Sequence, residues 1–422
     1  MKVLVIGSGG REHTIAWKIS KSPVVTQVIC APGNPGCREV ALCEDSVKVD
    51  DVEQLLLVAK KHNVDLTIVG PEVSLAAGVV DRFKAEGLKI FGPTKAAAQL
   101  EASKSFAKEI MQSAGVPTAG YAVCSSEGEI RELASRWGLP IVLKADGLAA
   151  GKGVFVCHTE DEFNYGCRAL FTELLADKVV VEQFLHGVEA SFIVATDGIN
   201  VVPLSPAHDY KRIGDNDTGL NTGGMGTVSP TPRLSEEQGS WTVENVIRPT
   251  LREMEKRGVP FSGFLYAGLM IAPDGAINVV EFNARLGDPE TQVILRRLDS
   301  DLAILLDWLA SSPDAKEREK PEVKWSQSSA VCVVLAADGY PGQIRKGDVI
   351  DGVNLTHSIP GVQVFHAGTA LNDRGELVTS GGRVLNVTAT GADLNEARRL
   401  VYRAVDIIQF RGRQARRDIG VK

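Results

Sequence analysis

Residues 141–156, IVLKADGLAAGKGVFV, constrain the fold more than any other stretch, because they place a loop of small residues between two apolar runs. The runs at 141–143 and 154–156 have the length and composition of short β-strands. The loop between them carries one lysine at Lys144 and another at Lys152. Glycine and alanine leave the N–H groups of such a loop uncovered, so an anion can approach closely. The stretch therefore predicts either a grip for a polyphosphate or an ordinary hairpin with a flexible turn.

This loop differs from the nucleotide-binding loop that begins a helix. That motif, GxxxxGK[ST], requires Ser or Thr after the lysine and then a helix. Here Gly153 follows Lys152, and strand-forming residues come next. A nucleotide bound at this loop would therefore be covered by a hairpin.

Size, charge and cysteine usage exclude several classes of protein. A chain of 422 residues with 44% hydrophobic residues is long enough for about three domains. A net charge of −7, without a Lys/Arg-rich run, argues against a nucleic-acid partner. The seven cysteines are scattered without a CxxC pair, as expected for reduced thiols in the cytoplasm. No apolar run has the length of a signal peptide or a membrane span, so we expect a cytoplasmic protein without a membrane partner.

The first hundred residues alternate strand-like and helix-like segments, which is typical of a Rossmann-like domain. The loop at 7–11 follows the first strand, but Glu12 stands where a dinucleotide-binding GxGxxG motif needs glycine. An acidic residue is also missing from 31–33, at the end of the second strand, so NAD is disfavoured. The loop N–H groups and Arg11 instead suit a phosphate, with a tight turn that serves packing only as the alternative.

Two later segments complete the predicted organisation. Residues 209–226, DYKRIGDNDTGLNTGGMG, have neither helical nor strand periodicity, and long loops of this kind are usually functional or disordered. Residues 312–320 are polar and predict a linker. Beyond the linker we expect a compact α+β domain without an evident catalytic cluster.

A carboxylate and an amide, Glu281 and Asn283, suggest a metal site. They lie two residues apart on a predicted strand, so their side chains point to the same face. Their oxygens are hard ligands suited to Mg²⁺, and Arg285 continues that face towards a phosphoryl group. Glu182 and Glu189 could in the same way hold an adenine amino group and a ribose. Taken one at a time, each of these residues is better explained as a solvated side chain at the surface or at a strand edge.

The order of these features resembles that of the ATP-grasp ligases, which hold ATP between two α+β lobes. The match extends to one family, the phosphoribosylamine–glycine ligases, over nearly the whole chain. The motifs that carry this resemblance are VIGSGGREH (5–13), APGNPG (31–36), VGPE (69–72), FGPT (91–94), KADGLAAGKGV (144–154), DTGLNTGGMG (217–226), FLYAGLM (264–270), EFNARLGDPET (281–291) and AADGYPG (336–342).

There are departures from the family pattern. Ser8, Leu220 and Ala284 differ from the family's usual residues without removing a proposed ligand. The position near Leu269 lacks an acidic metal ligand that many relatives have on the strand before Glu281, so the metal would depend more on phosphate oxygens and water.

The resemblance implies a multidomain α/β and α+β fold. The implied domains are a Rossmann-like substrate domain at 1–102, a two-lobed ATP-grasp domain at 103–325 with its lid at about 120–188, and an α+β domain at 326–422. The implied reaction joins glycine to 5-phosphoribosylamine in purine biosynthesis through a glycyl phosphate intermediate, with ATP and Mg²⁺ or Mn²⁺ as cofactors. The family also implies a monomer with transient contact to the neighbouring purine-pathway enzyme.

The resemblance assigns roles to individual residues. The ATP-binding residues it implies are Lys104, Lys144, Gly147, Gly151, Lys152, Gly153, Glu182, Leu185 and Glu189. The metal ligands it implies are Glu281 and Asn283. The substrate 5-phosphoribosylamine, which accepts the glycyl group and is called the acceptor below, would be held by Gly9, Gly10, Arg11, Glu12, Asn34 and Glu72. The catalytic candidates are Arg285 and Lys144, with Asp217 and Asn221 closing over glycine.

Three alternatives stay open at the level of sequence. One is another ATP-grasp ligase or carboxylase, which would activate bicarbonate or biotin. A second is an NAD-dependent oxidoreductase built on the first domain. A third is a nucleotide-binding regulator without catalytic activity.

Overall fold

A five-stranded parallel sheet forms the N-terminal domain, in agreement with the Rossmann-like prediction. The structure is a computed structural model, and it describes residues 1–147, 153–311 and 319–421. The sheet has its first strand in the middle and pairs, from edge to edge, Leu42–Cys43, Gln27–Pro32, Lys2–Gly7, Leu66–Val69 and Ile90–Phe91. Buried on both faces, its inner strands are continuous apolar runs, as expected for a parallel sheet.

The two apolar runs at the ends of the stretch 141–156 belong to a four-stranded antiparallel sheet, here called the lid sheet. Residues 148–152 of the loop between them lie outside the described residues. The strands of the lid sheet, in spatial order, are Tyr121–Cys124, Val179–Gln183, Ile141–Ala145 and Val154–Cys157. The two predicted strands are confirmed, and Lys144 pairs in register with Val154 where the loop begins. The lid sheet has a hydrophobic core of its own, built around residues such as Leu143, Phe163 and Val181.

The second lobe contains a four-stranded sheet, here called the central sheet. Its strand Ile277–Asn283 carries the predicted metal ligands and is here called the metal strand. The strands of the central sheet, in spatial order, are Val201–Pro203, Val188–Thr196, Gly263–Ile271 and Ile277–Asn283. A register shift between Gly268 and Leu269 places Gly268 opposite Glu281 and Tyr266 opposite Asn283. The last strand ends at Asn283, so Arg285 follows where the chain leaves the sheet.

The segment 209–226 is not the structureless loop that the sequence predicted. Its two ends lie in the C-terminal sheet, whose strands are, in spatial order, His208–Asp209, Gly226–Ser229, Ser329–Ala336, Arg383–Gly391 and Val362–His366. Its middle forms a hairpin from Arg212–Gly214 and Thr218–Asn221. Each strand is too short for a recognisable sequence period, and the partner strand Ser329–Ala336 lies more than one hundred residues away in the chain.

The helices carry the chain between these sheets and across their faces. The α-helices are Gly10–Ile19, Val52–His62, Glu72–Ala77, Val79–Ala85, Gln99–Ala102, Lys104–Ala114, Glu127–Trp137, Glu160–Arg168, Glu236–Thr242, Arg248–Lys256, Glu290–Arg297, Leu302–Ala310 and Leu394–Ile407. Single π-helical turns, Ala169–Glu173 and Val243–Ile247, extend or join them. No helix within the described part of the chain is long and apolar enough to cross a membrane.

The N-terminal domain shares its hydrophobic cores with the rest of the molecule. One continuous cluster runs from Leu4 and Phe83 to Leu265 and Phe282 of the central sheet. A second cluster joins the other face of the N-terminal sheet to the helix Leu302–Ala310 and to Cys332. The loop at 7–11 and the strand Ile277–Asn283 are therefore held in place by shared hydrophobic packing.

A pair of buried histidines forms part of the contact between the N-terminal and C-terminal domains. His13, on the first helix, is fully buried, and its Nδ1 accepts a hydrogen bond of 2.9 Å from the backbone N–H of His366. Its ring packs edge-on against Phe365. Burial, together with the proximity of His366, lowers the pKa of His13 to about 3, and burial lowers that of His366 to about 4.

We predict that the protein loses stability as the pH falls below about 6.5. The folded-state pKa values of these histidines lie below the unfolded value of about 6.5, so between the two the unfolded chain binds more protons. Each such histidine lowers the free energy of unfolding by up to about 1.4 kcal/mol per pH unit in that window. His13→Asn keeps an acceptor near the position of Nδ1 but cannot be protonated.

Thermal unfolding at pH 7.5 and pH 5 measures this effect. We expect His13→Asn to have a lower Tm than wild type at pH 7.5 but a smaller loss of Tm on going to pH 5. The exposed His158→Asn serves as the control and should retain the wild-type pH dependence. An unchanged pH dependence in His13→Asn would contradict the prediction.

Candidate active site

A cavity of about 430 Å³ lies between the lid sheet and the central sheet, and the N-terminal domain closes one side of it. Side chains from all three domains line it, including Arg11, Lys144, Glu281 and Arg383. Its surface is strongly charged and contains cations and anions in close proximity.

Two of the predicted ATP-binding lysines meet in this cavity. Ser103 caps the helix Lys104–Ala114 by accepting a hydrogen bond from Phe106, which fixes Lys104 at the start of that helix. The Nζ atom of Lys104 donates to the carbonyl of Gly147 at 2.9 Å, so the helix contacts the loop directly. Asp146 accepts hydrogen bonds from Ser105 and tightens the same contact. Burial lowers the pKa of Lys104.

Glu182 lies between two buried lysines. Its carboxylate forms ion pairs with Lys144 at 2.8 Å and with Lys108 at 3.1 Å, and each of the three side chains is at most 5% exposed. Burial lowers the pKa of Lys108 to about 8. In this structure the Glu182 carboxylate is therefore a counter-ion for two cations, and its assignment to an adenine amino group stays a prediction.

The proposed metal ligands, Glu281 and Asn283, both line the cavity from the end of the central sheet. Burial disfavours the charged form of Glu281, but the nearby Lys211, Lys144 and Lys104 outweigh it and keep its pKa below the usual value. Among the described residues, no three His, Cys, Asp or Glu side chains are grouped as a metal site. The pair therefore fits an ion that takes most of its ligands from phosphate oxygens and water.

Arg285 is clamped by carboxylates from two other elements. Its NH2 group lies 3.0 Å from Glu101, and its Nε lies 3.5 Å from Glu72. Glu101 also accepts a hydrogen bond of 2.7 Å from the N–H of Ala284. These contacts hold the guanidinium in the cavity beside Asn283.

The predicted acceptor residues divide into two groups. Arg11 and Glu72 line the cavity. Two donors of the loop at 7–11 are engaged within the protein, because Gly9 donates its N–H to Glu12 at 2.6 Å and the Arg11 guanidinium also donates to Glu12. Asn34 donates to the carbonyls of Ser8 and His366.

Four further predicted site residues do not line the cavity: Leu185, Glu189, Asp217 and Asn221. Two more predicted site residues lie outside the part of the chain that the structure describes. Leu185 borders a neighbouring cavity of about 370 Å³, and Glu189 forms an ion pair with Lys211, which does line the site. Asp217 and Asn221 are exposed on the hairpin, where Asp217 pairs with Arg416. The other two positions are Gly151 and Lys152. Gly147 and Gly153, at the ends of the same loop, line the cavity.

Sequence reasoning assigned no role to nine charged or polar residues of the cavity. Lys108 had a usable signal, since it lies four residues after Lys104 and therefore on the same helix face. Six more residues lie inside the motifs at 264–270 and 281–291 or inside the segment 209–226, which the sequence analysis singled out without assigning them a role. The others reach the site through tertiary packing. The nine residues are Glu101, Lys108, Asp209, Lys211, Thr222, Tyr266, Asp288, Glu290 and Arg383.

Three family models together match most of the chain. They are described as the N domain, the ATP-grasp (A) domain and the C domain of phosphoribosylglycinamide synthetase, and they match residues 1–101, 102–291 and 330–422.

Relatives and solved structures agree with these matches. A phosphoribosylamine–glycine ligase of Ralstonia nicotianae is 49% identical over 428 residues, covering 100% of this chain and 99% of that protein. A crystal structure of phosphoribosylamine–glycine ligase from Thermotoga maritima is 35% identical with a TM-score of 0.85, covering 99% and 100% of the two chains. The biotin carboxylase domain of a Hydrogenobacter thermophilus 2-oxoglutarate carboxylase, in complex with MgADP and bicarbonate, is 17% identical with a TM-score of 0.72, covering 98% and 91%. This last likeness shows the fold alone.

We predict that Glu182→Gln lowers the Tm of the protein measured without nucleotide, and that ATP restores much of the lost stability. The change leaves Lys108 and Lys144 facing each other without a counter-ion, and removing one partner of a buried ion pair costs about 3–5 kcal/mol. Because the phosphates of ATP can neutralise the same lysines, MgATP should raise the Tm of the variant by more than it raises that of wild type.

Differential scanning fluorimetry with and without MgATP measures both effects. Glu132→Gln is the control, because Glu132 is exposed and pairs only weakly with Arg136. Equal Tm increments in wild type and Glu182→Gln would show that the lysines do not meet the phosphates.

Proposed function

The chain belongs to the phosphoribosylglycinamide synthetase family, and on that premise we propose that it joins glycine to 5-phosphoribosylamine, with conversion of ATP to ADP and phosphate. This reaction is the glycinamide-forming step of purine biosynthesis. The observation that supports it is a single cavity that holds Lys104, Lys144, the pair Glu281 and Asn283, and Arg285.

The chemistry requires a carboxylate to become an acyl donor. A carboxylate oxygen of glycine attacks the γ-phosphorus of ATP, the bond to ADP breaks, and glycyl phosphate forms. The amine of phosphoribosylamine then attacks the carbonyl carbon, and phosphate leaves with one oxygen that came from glycine. Each step develops negative charge that the site has to stabilise.

Lys104 and Lys144 are placed to stabilise the charge on the phosphates. They reach the cavity from a helix and from a strand of the lid sheet, so they can contact one polyphosphate from two sides. Fixed charges in a water-poor site stabilise a transition state without reorganisation of solvent. Glu182 and Lys108 support this arrangement by keeping Lys144 in place.

Glu281 and Asn283 would hold Mg²⁺ or Mn²⁺ at the end of the metal strand. A divalent ion bound there supplies charge neutralisation between adjacent phosphates. The oxygen donors of the pair suit a hard cation, and the family's use of ATP makes phosphate oxygens available as further ligands.

Arg285 is the residue best placed to contact the reacting carboxyl group. It follows Asn283 by two residues and lies in the cavity with its charge balanced by Glu72 and Glu101. We assign it to the acyl phosphate and to the oxyanion of the tetrahedral intermediate. Closure of the lid sheet over this region would exclude water, which would otherwise hydrolyse the acyl phosphate.

The acceptor is assigned to the N-terminal side of the cavity. Arg11 and Glu72 are the residues of the predicted acceptor set that line it. Gly9, Gly10, Glu12 and Asn34 do not line the cavity and would position the residues that do. Glu12, for example, orients Arg11 by accepting a hydrogen bond of 2.6 Å from its Nε. Asp217 and Asn221 keep their proposed role in closing over glycine only if the hairpin moves, because both are exposed here. We further propose that the protein is a cytoplasmic monomer that makes transient contact with the neighbouring enzyme of the purine pathway.

We predict that phosphate released by the enzyme carries one oxygen from glycine. The experiment supplies ATP, freshly formed phosphoribosylamine and glycine labelled with ¹⁸O in its carboxylate, and measures both products by mass spectrometry. We expect glycinamide ribonucleotide and singly labelled phosphate. Bicarbonate in place of glycine should give no ADP above background; bicarbonate-dependent ADP release would instead favour a carboxylase.

We predict that Lys144→Ala and Glu281→Ala each lower kcat/KM for ATP at least a hundredfold while the fold is retained. Glu182 keeps Lys108 as a partner when Lys144 is removed, so the first variant should fold. Far-UV circular dichroism checks the fold, and steady-state ADP formation measures the loss. The exposed pair Lys324→Ala and Glu322→Ala are matched controls with unchanged rates. Near-normal activity in either cavity variant would overturn the site assignment.

A further inference from the structure

Three of the seven cysteines lie together in the N-terminal domain, away from the cavity. Cys30 is in the strand Gln27–Pro32, Cys43 is in the edge strand Leu42–Cys43, and Cys37 begins the single 3₁₀ turn Cys37–Glu39. These three side chains are called the thiol cluster below. All three are free thiols, and the proposed chemistry uses none of them.

Cys30 and Cys43 are placed for a disulfide. They lie directly opposite each other in the parallel pairing of their strands, so their side chains share one face of the sheet. Paired strands are about 4.8 Å apart, and a disulfide spans Cα atoms separated by about 4.4–6.8 Å. The Cβ of Cys30 and the Sγ of Cys43 lie 2.9 Å and 2.6 Å from the position that a Cβ on Gly33 would take, so the two side chains converge beside that residue.

The arrangement of the thiol cluster favours oxidation over metal binding. Within the described ranges, no three His, Cys, Asp or Glu side chains are grouped to hold an ion, and the thiol cluster is no exception. A disulfide in a reducing compartment, such as the proposed cytoplasm, is usually transient and redox-sensing. A bond between these thiols is therefore expected to be reversible.

Cys43 is the member of the cluster that a small oxidant reaches. It is half-buried at the edge of the sheet, whereas Cys30 and Cys37 are fully buried. A hydrogen bond from the Cys30 thiol lowers the pKa of Cys43, and contacts with the Cys37 and Cys43 thiols raise the pKa of Cys30 well above its usual value. Because the thiolate is the nucleophile, Cys43 reacts first and Cys30 then attacks the oxidised sulfur.

The thiol cluster surrounds the loop at 31–36. The Sγ of Cys43 donates to the backbone carbonyl of Asn34 at 3.9 Å, and the backbone N–H of Cys37 donates to the Asn34 Oδ1 at 3.0 Å. Gly33 adopts the left-handed region that favours glycine, at φ +77°, and its backbone lies against the sulfur atoms. A disulfide withdraws the Cys43 sulfur from Asn34, so the loop has to shift.

The same loop supports the acceptor side of the cavity. Gly33 donates its backbone N–H to the carbonyl of Gly7 at 3.0 Å, and the side-chain amide of Asn34 donates to the carbonyl of Ser8 at 2.8 Å. These two hydrogen bonds hold the chain just before Arg11, which lines the cavity. A shift of Asn34 therefore disturbs the position of Arg11.

We propose that hydrogen peroxide joins Cys43 to Cys30 in a reversible disulfide, and that this bond weakens binding of the acceptor. The effect on the acceptor rests on the proposed function, whereas formation of the disulfide does not depend on it. The oxidised protein is then a less active form that a dithiol reductant restores.

The oxidation consists of two displacements in which atoms and electrons balance. The Cys43 thiolate attacks one oxygen of peroxide, the O–O bond breaks, and the hydroxide that leaves takes up the proton that the thiol had lost. The Cys30 sulfur then attacks the sulfenic acid at Cys43, the S–O bond breaks, and a second water leaves with the proton of Cys30. Two thiols and one peroxide thus give one disulfide and two waters.

Peptide mass spectrometry of the full-length protein tests the disulfide. Tryptic cleavage places Cys30 and Cys37 in the peptide 22–38 and Cys43 in the peptide 39–48. After treatment with hydrogen peroxide and alkylation of the remaining thiols, we expect these two peptides to be linked and dithiothreitol to separate them. A bond between Cys30 and Cys37 would instead stay within one peptide and would contradict the proposal.

Single variants assign the bond to its two residues. Cys30→Ala should abolish the link and leave Cys43 as a sulfenic acid that dimedone traps. Cys43→Ser should abolish both the link and the trapped acid, although serine keeps a hydroxyl donor near Asn34. Cys37→Ala, in the same cluster, is the matched control and should retain the link. The Tm of each variant shows whether it is folded, and a link that survives in folded Cys30→Ala would refute the assignment.

Steady-state kinetics test the effect on the acceptor. In oxidised wild type we expect KM for phosphoribosylamine to rise about fivefold or more, because one or two hydrogen bonds of the loop are lost, and KM for ATP to change by less than about twofold. Dithiothreitol should restore the first value, and Cys43→Ser should keep it through peroxide treatment.

The two readouts separate this inference from the proposed function. Unlinked peptides in peroxide-treated wild type, or an unchanged KM for phosphoribosylamine in the linked protein, would overturn the inference and leave the proposed function standing. Absence of glycine-dependent ADP formation in the reduced protein would overturn the proposed function and the effect on the acceptor together, and the peptide link would still decide whether the disulfide forms.

Discussion

Neutralisation of buried lysines is the constraint on which the rest of the site depends. Lys104, Lys108 and Lys144 line one cavity from a helix and from the lid sheet, and burial lowers the pKa of Lys104 and Lys108. Without phosphates, Glu182 neutralises two of them, and the carbonyl of Gly147 accepts from the third. Glu182 therefore balances positive charge that, in the proposed function, the phosphates of ATP would balance instead. We therefore expect binding of ATP to exchange one set of electrostatic partners of these lysines for another.

A similar exchange applies to Arg285 and links the domains. Its partners are Glu101, at the junction between the N-terminal and ATP-grasp domains, and Glu72, in the N-terminal domain. Arg11 lies 4.0 Å from the same Glu72 carboxylate, and Arg285 and Arg11 together keep the pKa of Glu72 below its usual value despite burial. A sugar hydroxyl or a phosphate that contacts Glu72 or Arg11 must therefore alter the surroundings of Arg285. We therefore expect occupation of the proposed acceptor side to be coupled to the position of the Arg285 guanidinium through Glu72 and Glu101.

Local patterns in the sequence predicted those parts of the site that depend on local structure. The strand pair around the small-residue loop, the Ser103 cap before Lys104 and the shared face of Glu281 and Asn283 follow from spacings of one to four residues, and the structure contains all three features. Glu101, Asp209, Glu290 and Arg383 enter the cavity because sheets and helices distant in the chain pack together, which no single-sequence period records. Glu182 shows the limit of motif transfer, since its burial between two lysines depends on contacts with Lys108 that the motif does not contain.

The C-terminal domain also has a physical role that its composition did not indicate. The strand His208–Asp209 forms the edge of the C-terminal sheet and pairs with Gly226–Ser229, which in turn pairs with Ser329–Ala336. This pairing fixes the backbone of Asp209, and Arg383, from another strand of the same sheet, binds the carbonyls of Gly223 and Asp288 that flank the cavity. The segment 209–226 is thus tied to the C-terminal sheet at both ends while its hairpin is exposed. The C-terminal domain therefore determines where one wall of the cavity stands.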